Sequence, residues 1–165
     1  MARSADDQNA AVTLSILDRL IDAQPDVSQE AIPTRTQSVR QLKDGLRRDL
    51  EWLLNTRRIA VPPEEALREV NRSLYVYGLP DFTSYALNSP KDQVKLLRFL
   101  QTTVKLFEPR LANVRIVPLE PPTAKARIVR FRIDGLLLMD PAPEHVSFDT
   151  VMELTSGQYE VENAG

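Results

Sequence analysis

Glu108-Pro109-Arg110 sets a carboxylate and a guanidinium on either side of a residue whose ring fixes its backbone angle. A guanidinium is a planar fork of donors that fits a carboxylate through two parallel bonds, so a rigid bend of this kind can present Arg110 to an acidic group on a partner. The same residues also make an ordinary charged turn, and the triplet alone does not decide between the two. Glu108 and Asp134 can be nominated as the two carboxyl groups of a glycoside hydrolase, which stand about 5–5.5 Å apart for retention or about 6.5–9.5 Å for inversion. With 23 acidic residues in the chain, some pair meets that distance by chance, and no catalytic residue is assigned.

Other chemistries are excluded more firmly. The chain has no Cys, which removes disulfides, thiolate zinc sites, Cys nucleophiles and iron–sulfur clusters and suits a reducing compartment. The single His145 cannot build a multi-histidine metal site, and in a Pro-rich loop it reads as a surface residue. Glycines at 45, 78, 135, 157 and 165 are too far apart for a phosphate-cradling loop. No metal and no cofactor are expected. Arg40, Lys43, Arg47 and Arg48 share a helix face, but the net charge of −2 and the lack of interleaved aromatics make this a solvated face before a nucleic-acid site. Residues 1–9 are polar, and Asp18 and Arg19 interrupt the apolar stretch that follows, so neither a signal peptide nor a membrane span is expected.

The elements that must position these residues change period along the chain. Leu14, Leu17 and Ile21 predict a short amphipathic helix, followed by a polar linker, so residues 1–36 read as an arm and 37–165 as one domain. A long helix is predicted over 38–54, opened by a Ser38/Gln41 capping box and striped by Val39, Leu42, Leu46, Leu50 and Leu53. Pro62-Pro63 opens a predicted helix through Ala66, Leu67, Val70 and Leu74, closed at Gly78. Ser89-Pro90 opens another, with Val94, Leu97, Leu100, Val104 and Phe107 inward, and Pro109 ends it. Beyond Arg110 the pattern alternates: Val114 to Pro118; Val129, Phe131 and Ile133, with a bulge at Gly135; Phe148, Thr150, Met152 and Leu154; then a turn into Tyr159 and Val161. The predicted fold is α+β, amino-terminal helices packed on an antiparallel carboxyl-terminal sheet.

The segment Arg47-Arg48-Asp49-Leu50-Glu51-Trp52-Leu53-Leu54-Asn55-Thr56-Arg57-Arg58 resembles the Arg-Asp-Leu-Glu-x-Leu-Leu-Asn-Thr-Arg signature of the TssE family, a baseplate component of the bacterial type VI secretion system. Leu14 to Asp22 is similar to that family's Leu-Leu-Asp-Arg-Leu opening, and Ser73 to Asp81 to its Ser-x-x-Asn-Tyr-Gly-Leu-Pro-Asp stretch, with Val76 where the family favours Asn. Glu108-Pro109-Arg110 matches its Glu-Pro-Arg motif, and Asp140-Pro141 through Phe148-Asp149-Thr150 its carboxyl-terminal strand region.

The resemblance implies a non-enzymatic baseplate wedge subunit in which Glu108, Pro109 and Arg110 meet the wedge proteins TssF and TssG. It also implies a baseplate shared with the adaptor TssK and contact with the sheath proteins TssB and TssC, on the cytoplasmic side of the inner membrane. Arg47, Arg48, Arg57, Arg58, Arg130 and Arg132 are secondary interaction candidates. Kinship with phage baseplate proteins once labelled lysozyme-like keeps a hydrolase as the alternative.

Overall fold

The computed structural model describes residues 11–21, 26, 33–82, 90–120, 128–153 and 155–164. Among the described residues, three helices, α1 (Ile16–Leu20), α2 (Arg35–Asn55) and α3 (Pro90–Phe107), precede four strands, β1 (Leu111–Pro118), β2 (Ile128–Leu137), β3 (Glu144–Glu153) and β4 (Tyr159–Asn163). The strands form one antiparallel sheet in the order β1-β2-β3-β4. This is the predicted α+β arrangement.

Alternation supplies the sheet's inner face. Val129, Phe131, Ile133 and Leu137 of β2, Val146, Phe148, Thr150 and Met152 of β3, and Tyr159 and Val161 of β4 are buried. Against them lie Leu42, Leu46, Leu50, Leu53 and Leu54 of α2 and Leu96, Leu100 and Val104 of α3, one continuous apolar core. Burying a Leu or Phe side chain is worth about 1.5–3 kcal/mol, so this cluster is the main driving force of the fold.

Several local expectations are corrected. Helix α2 starts at Arg35, because Thr34 and Gln37 form the capping box in place of Ser38 and Gln41: the Gln37 N–H donates to Thr34 Oγ1 at 3.4 Å and the Thr34 N–H to Gln37 Oε1 at 2.8 Å. The same pattern occurs twice, three residues apart, and Ser38 is buried within the helix, where its Oγ accepts the Val12 N–H at 2.9 Å. Helix α3 ends before Pro109 as expected, but its buried side is Leu96, Leu100, Thr103 and Val104, while Val94 is exposed. Spacings of 4, 3 and 1 form a tighter stripe than the one through Val94. Ser89, its expected cap, and Leu154 lie outside the described residues.

The helix expected through Ala66 to Leu74 is replaced by two single 3-10 turns, Val70–Arg72 and Leu74–Val76, and Ala66, Leu67 and Leu74 are exposed. Short polar side chains take up the backbone groups there. Asn71 Nδ2 donates to the carbonyls of Glu64 and Leu67, both at 2.9 Å, and Ser73 Oγ donates to the Val70 carbonyl while accepting the Tyr75 N–H. Gly135 is not a bulge: it pairs with Val146, and a Cβ there would stand 2.7 Å from the Leu111 side chain, so Gly serves close strand approach. The irregularity sits in β1 between Ala112 and Arg115, where Asn113 has φ 54°. His145 lies in β3, not a loop, and is exposed.

Gly78 closes the body. Its φ is +95°, and a Cβ would lie 2.2 Å from the Thr56 carbonyl oxygen, which accepts the Leu79 N–H at 2.8 Å. This joins the end of α2 to the Tyr77-Gly78-Leu79 segment as a parallel bridge. Gly78→Ala should therefore destabilise the chain by at least about 2 kcal/mol, through left-handed strain plus backbone collision, as read by urea unfolding. A loss under about 0.5 kcal/mol would contradict this packing.

Candidate functional site

Pro109 ends α3, and the chain reverses into β1 with the Glu108 N–H bonded to the Val104 carbonyl and the Leu111 N–H to the Glu108 carbonyl. The bend puts the side chains of residues 108 and 110 together. Arg110 Nε donates to Glu108 Oε1 and Nη2 to Glu108 Oε2, each at 2.6 Å. Glu108 is only 5% exposed, so its charge depends on this fork. Arg110 Nη2 also donates to Asp49 Oδ2 at 2.7 Å, across 61 residues of sequence.

Asp49 carries the chain of charges onward. Its Oδ1 accepts from Arg48 Nη2 at 3.0 Å, and the same Nη2 donates to Asp18 Oδ1 at 2.7 Å. The second oxygen of Asp18 accepts from Ser15 Oγ at 2.6 Å. Asp18 is seated against α2 at Gly45, where a Cβ would come within 3.0 Å of its Oδ2. That close seat accounts for a Gly in mid-helix, which otherwise costs about 1 kcal/mol relative to Ala. The result is a ladder, Asp18–Arg48–Asp49–Arg110–Glu108, with three carboxylates and two guanidiniums, and Arg48 also lies 5.0 Å from the Trp52 ring centroid.

The ladder shifts the titration of some of its groups and of a neighbour. Burial pushes the Asp18 carboxyl up, but hydrogen bonds from Ser15 and Arg48 and the charges of Arg48 and Arg110 outweigh it and hold the group below the usual carboxylate value. The Glu108 bond, opposed by burial and reinforced by Asp49, makes Arg110 hold its proton more firmly than a free guanidinium. Burial, then the charges of Asp49 and Glu108, raise the Tyr77 phenol. These shifts keep Asp18 and Arg110 charged and the Tyr77 phenol neutral near pH 7, which suits a structural clamp.

Arg110 was expected to point outward, yet two of its three nitrogens are engaged inside the fold. Its Nη1 has no partner among the described residues, its side chain is 27% exposed, and Pro109 is exposed. Asp134 accepts from Ser147 Oγ on the sheet's outer face, whereas Glu108 is buried and ion-paired with Arg110, so each nominated carboxyl group is engaged with another partner.

The basic candidates are dispersed. Arg47 bonds Glu51 and the Val161 carbonyl, Lys43 bonds Glu144, Arg57 pairs with Asp81, and Arg58 lies over Phe99. Arg130 pairs with Glu120, and Arg132 with Asp149 through two bonds. Of them only Arg48 joins the Glu108–Arg110 cluster. Asp18 and Asp49, which complete it, carried a signal in the two signature segments but no spacing that tied them to Arg110.

The sheet edges are also partly spoken for. Asn55 Nδ2 donates to the Tyr159 carbonyl at 2.8 Å, and its Oδ1 accepts the Tyr159 N–H at 2.9 Å. With Arg47 on the Val161 carbonyl, α2 occupies groups on β4 that face away from β3. On β1, Gln101 Nε2 donates to the Val114 carbonyl at 2.7 Å and Pro118 offers no N–H. Strand β2 lies inside the sheet, between β1 and β3, so the outer strands β1 and β4 carry its edges.

Because its folded value is depressed, Asp18 stabilises fully above its unfolded value of about 3.9 and loses that contribution as pH falls through the lower folded value. Trp52, the one tryptophan, reports on the neighbouring Arg48. Its emission should change in a step below about pH 4 in the wild type. Asp18→Asn should show the acid-state emission already at pH 7 and lack that component of the step. Identical titrations would contradict the ladder.

The sequence model of the family described as Baseplate wedge protein gp25 matches residues 40–142, which take in most of α2, all of α3, β1 and β2, and therefore both halves of the Asp49–Arg110 contact. No curated protein and no solved structure matches the chain. With well over half its length matched, and with the two motifs meeting in one cluster, the chain belongs to the gp25 baseplate wedge family, the family of TssE.

Proposed function

We propose that this chain is the TssE-type wedge subunit of a type VI secretion baseplate, binding TssF and TssG through the surface around Pro109 and Arg110. The family's role is structural, in a baseplate. The observation that carries the finer reading is that the two signature motifs converge on one ladder, which holds Arg110 rigidly with one donor edge, Nη1, still unengaged. A preorganised guanidinium of this kind loses little entropy on meeting a partner carboxylate. Residues 37–165 act as the wedge domain and 1–36 as its arm. The assembly would include TssK, sit on the cytoplasmic side of the inner membrane, and help start a TssB–TssC sheath. Among the described residues no helix is long and apolar enough to cross a membrane.

In this reading a sheath strand does not find an empty edge. On β4 it must displace the Asn55 amide at Tyr159 and Arg47 at the Val161 carbonyl. No observation favours the lysozyme-like alternative, since its nominated acid is buried and ion-paired.

Removing Arg110 strands the Glu108 carboxylate, so Arg110→Ala should destabilise the fold, on the order of 3 kcal/mol, as well as impair binding. Asp49→Asn, which breaks the same ladder without touching Nη1, serves as the control for stability. Affinity for purified TssF–TssG should fall about thirtyfold or more for Arg110→Ala and markedly less for Asp49→Asn. Equal losses for the two variants, or none, would contradict the assigned role of Arg110.

A further inference from the structure

Helix α1 is amphipathic the wrong way round. Its acid, Asp18, is turned inward to Arg48, with the carboxylate 9% exposed, whereas Ile16 is 76%, Leu17 47%, Leu20 77% and Ile21 51% exposed. Ile16 with Leu20 stands opposite Asp18 and Leu17 with Ile21 beside it, each pair four residues apart, giving two exposed aliphatic columns, of which the first faces outward and the second also borders α2 near Gly45. A five-residue helix that buries none of its own residues is not held by packing. Val12 and Leu14, just before it, pack against the core, and the helix itself is held by three polar devices: Ser15 as the cap, the Val12 N–H on Ser38 Oγ, and the Asp18–Arg48 bond seated in the notch at Gly45. The chain thus fixes an apolar surface in solvent, at the cost of a mid-helix glycine.

We propose that α1 is a docking helix, and that its occupant is an amphipathic helix of the same baseplate partner that meets Arg110. This rests on the wedge reading above and extends its site. The exposed columns are wholly aliphatic, which suits a ridge of one helix set into the groove of another. The backbone is already hydrogen-bonded within the helix, so strand addition is not available there. Arg19, exposed and without a partner among the described residues, flanks the columns and calls for a carboxylate beside the aliphatic face of the incoming helix.

Four side chains are far too little for an interface of their own, since stable ones bury about 1,200–2,000 Å² in all. They fit the role of an extension to a larger one. That larger surface is adjacent, because Arg48 links Asp18 to Asp49 and so to Arg110, and Arg48 also stacks on the half-exposed Trp52. The ladder therefore holds two binding elements in a fixed relation, one ionic and one apolar.

The test uses the full chain and the purified TssF–TssG pair as probe. Ile16→Ser combined with Leu20→Ser should lower affinity at least tenfold without moving the unfolding midpoint, since no contact within the fold is lost; Ile16→Val with Leu20→Met should bind as the wild type. Unchanged affinity in the Ser double variant overturns the inference and leaves the wedge reading intact. A lowered midpoint also overturns it, because the columns would then be covered within the chain. Dimers in sedimentation that the double variant abolishes would assign the surface to a second copy, and binding to phosphatidylglycerol–phosphatidylethanolamine vesicles that it abolishes would assign it to a membrane; either overturns the proposal. A wild-type chain that does not bind the pair at all removes the wedge reading and this inference together.

Discussion

A carboxylate buried at the end of a helix has to be met by a cation, and in this chain the Glu108–Arg110 fork meets that requirement across a single proline. Breaking such a pair leaves a stranded charge that costs far more than the intact pair contributes. Glu108 therefore fixes Arg110, Arg110 fixes Asp49 on α2, and Asp49 with Arg48 fixes Asp18 on the arm. Three segments far apart in sequence are set in one geometry by one run of charge-assisted bonds. The carboxylates outnumber the guanidiniums three to two, and Arg110 Nη1 has no partner among the described residues.

The long signature on α2 is accounted for almost residue by residue. Arg48 and Asp49 belong to the ladder, Leu50, Leu53 and Leu54 to the core, and Glu51 pairs with Arg47. Asn55 grips the β4 backbone, Thr56 receives the Leu79 N–H, and Arg57 pairs with Asp81. Most of a motif that looks like an interaction stretch thus holds the fold together. The binding surface we propose is what this scaffold presents, the Pro109–Arg110 bend and the outward side of α1.

The sheet and the two long helices were legible because their periods persist for many residues. The phase of α3 was not, because Val94 and Leu96 are both apolar and only tertiary packing selects between them. The segment through Ala66 to Leu74 carried helical spacing too short to outweigh Asn71 and Ser73, whose side chains satisfy the backbone locally. At the site, Pro109 announced the bend, but the inward direction of Arg110 depends on Asp49, a contact between residues 61 apart that periodicity cannot show. Likewise the glycine in mid-helix at position 45 has its reason in Asp18, which packs against it from outside the helix.

The central claim is that the helix signature and the Glu-Pro-Arg bend are one energetic unit, and a double-mutant cycle tests it most directly. Asp49→Asn, Arg110→Lys and the double variant should be compared with wild type by equilibrium urea unfolding at low ionic strength. The account predicts a coupling energy of about 1.5 kcal/mol or more between the two positions. Losses that add within about 0.3–0.5 kcal/mol would show that the two motifs stand independently and would contradict it.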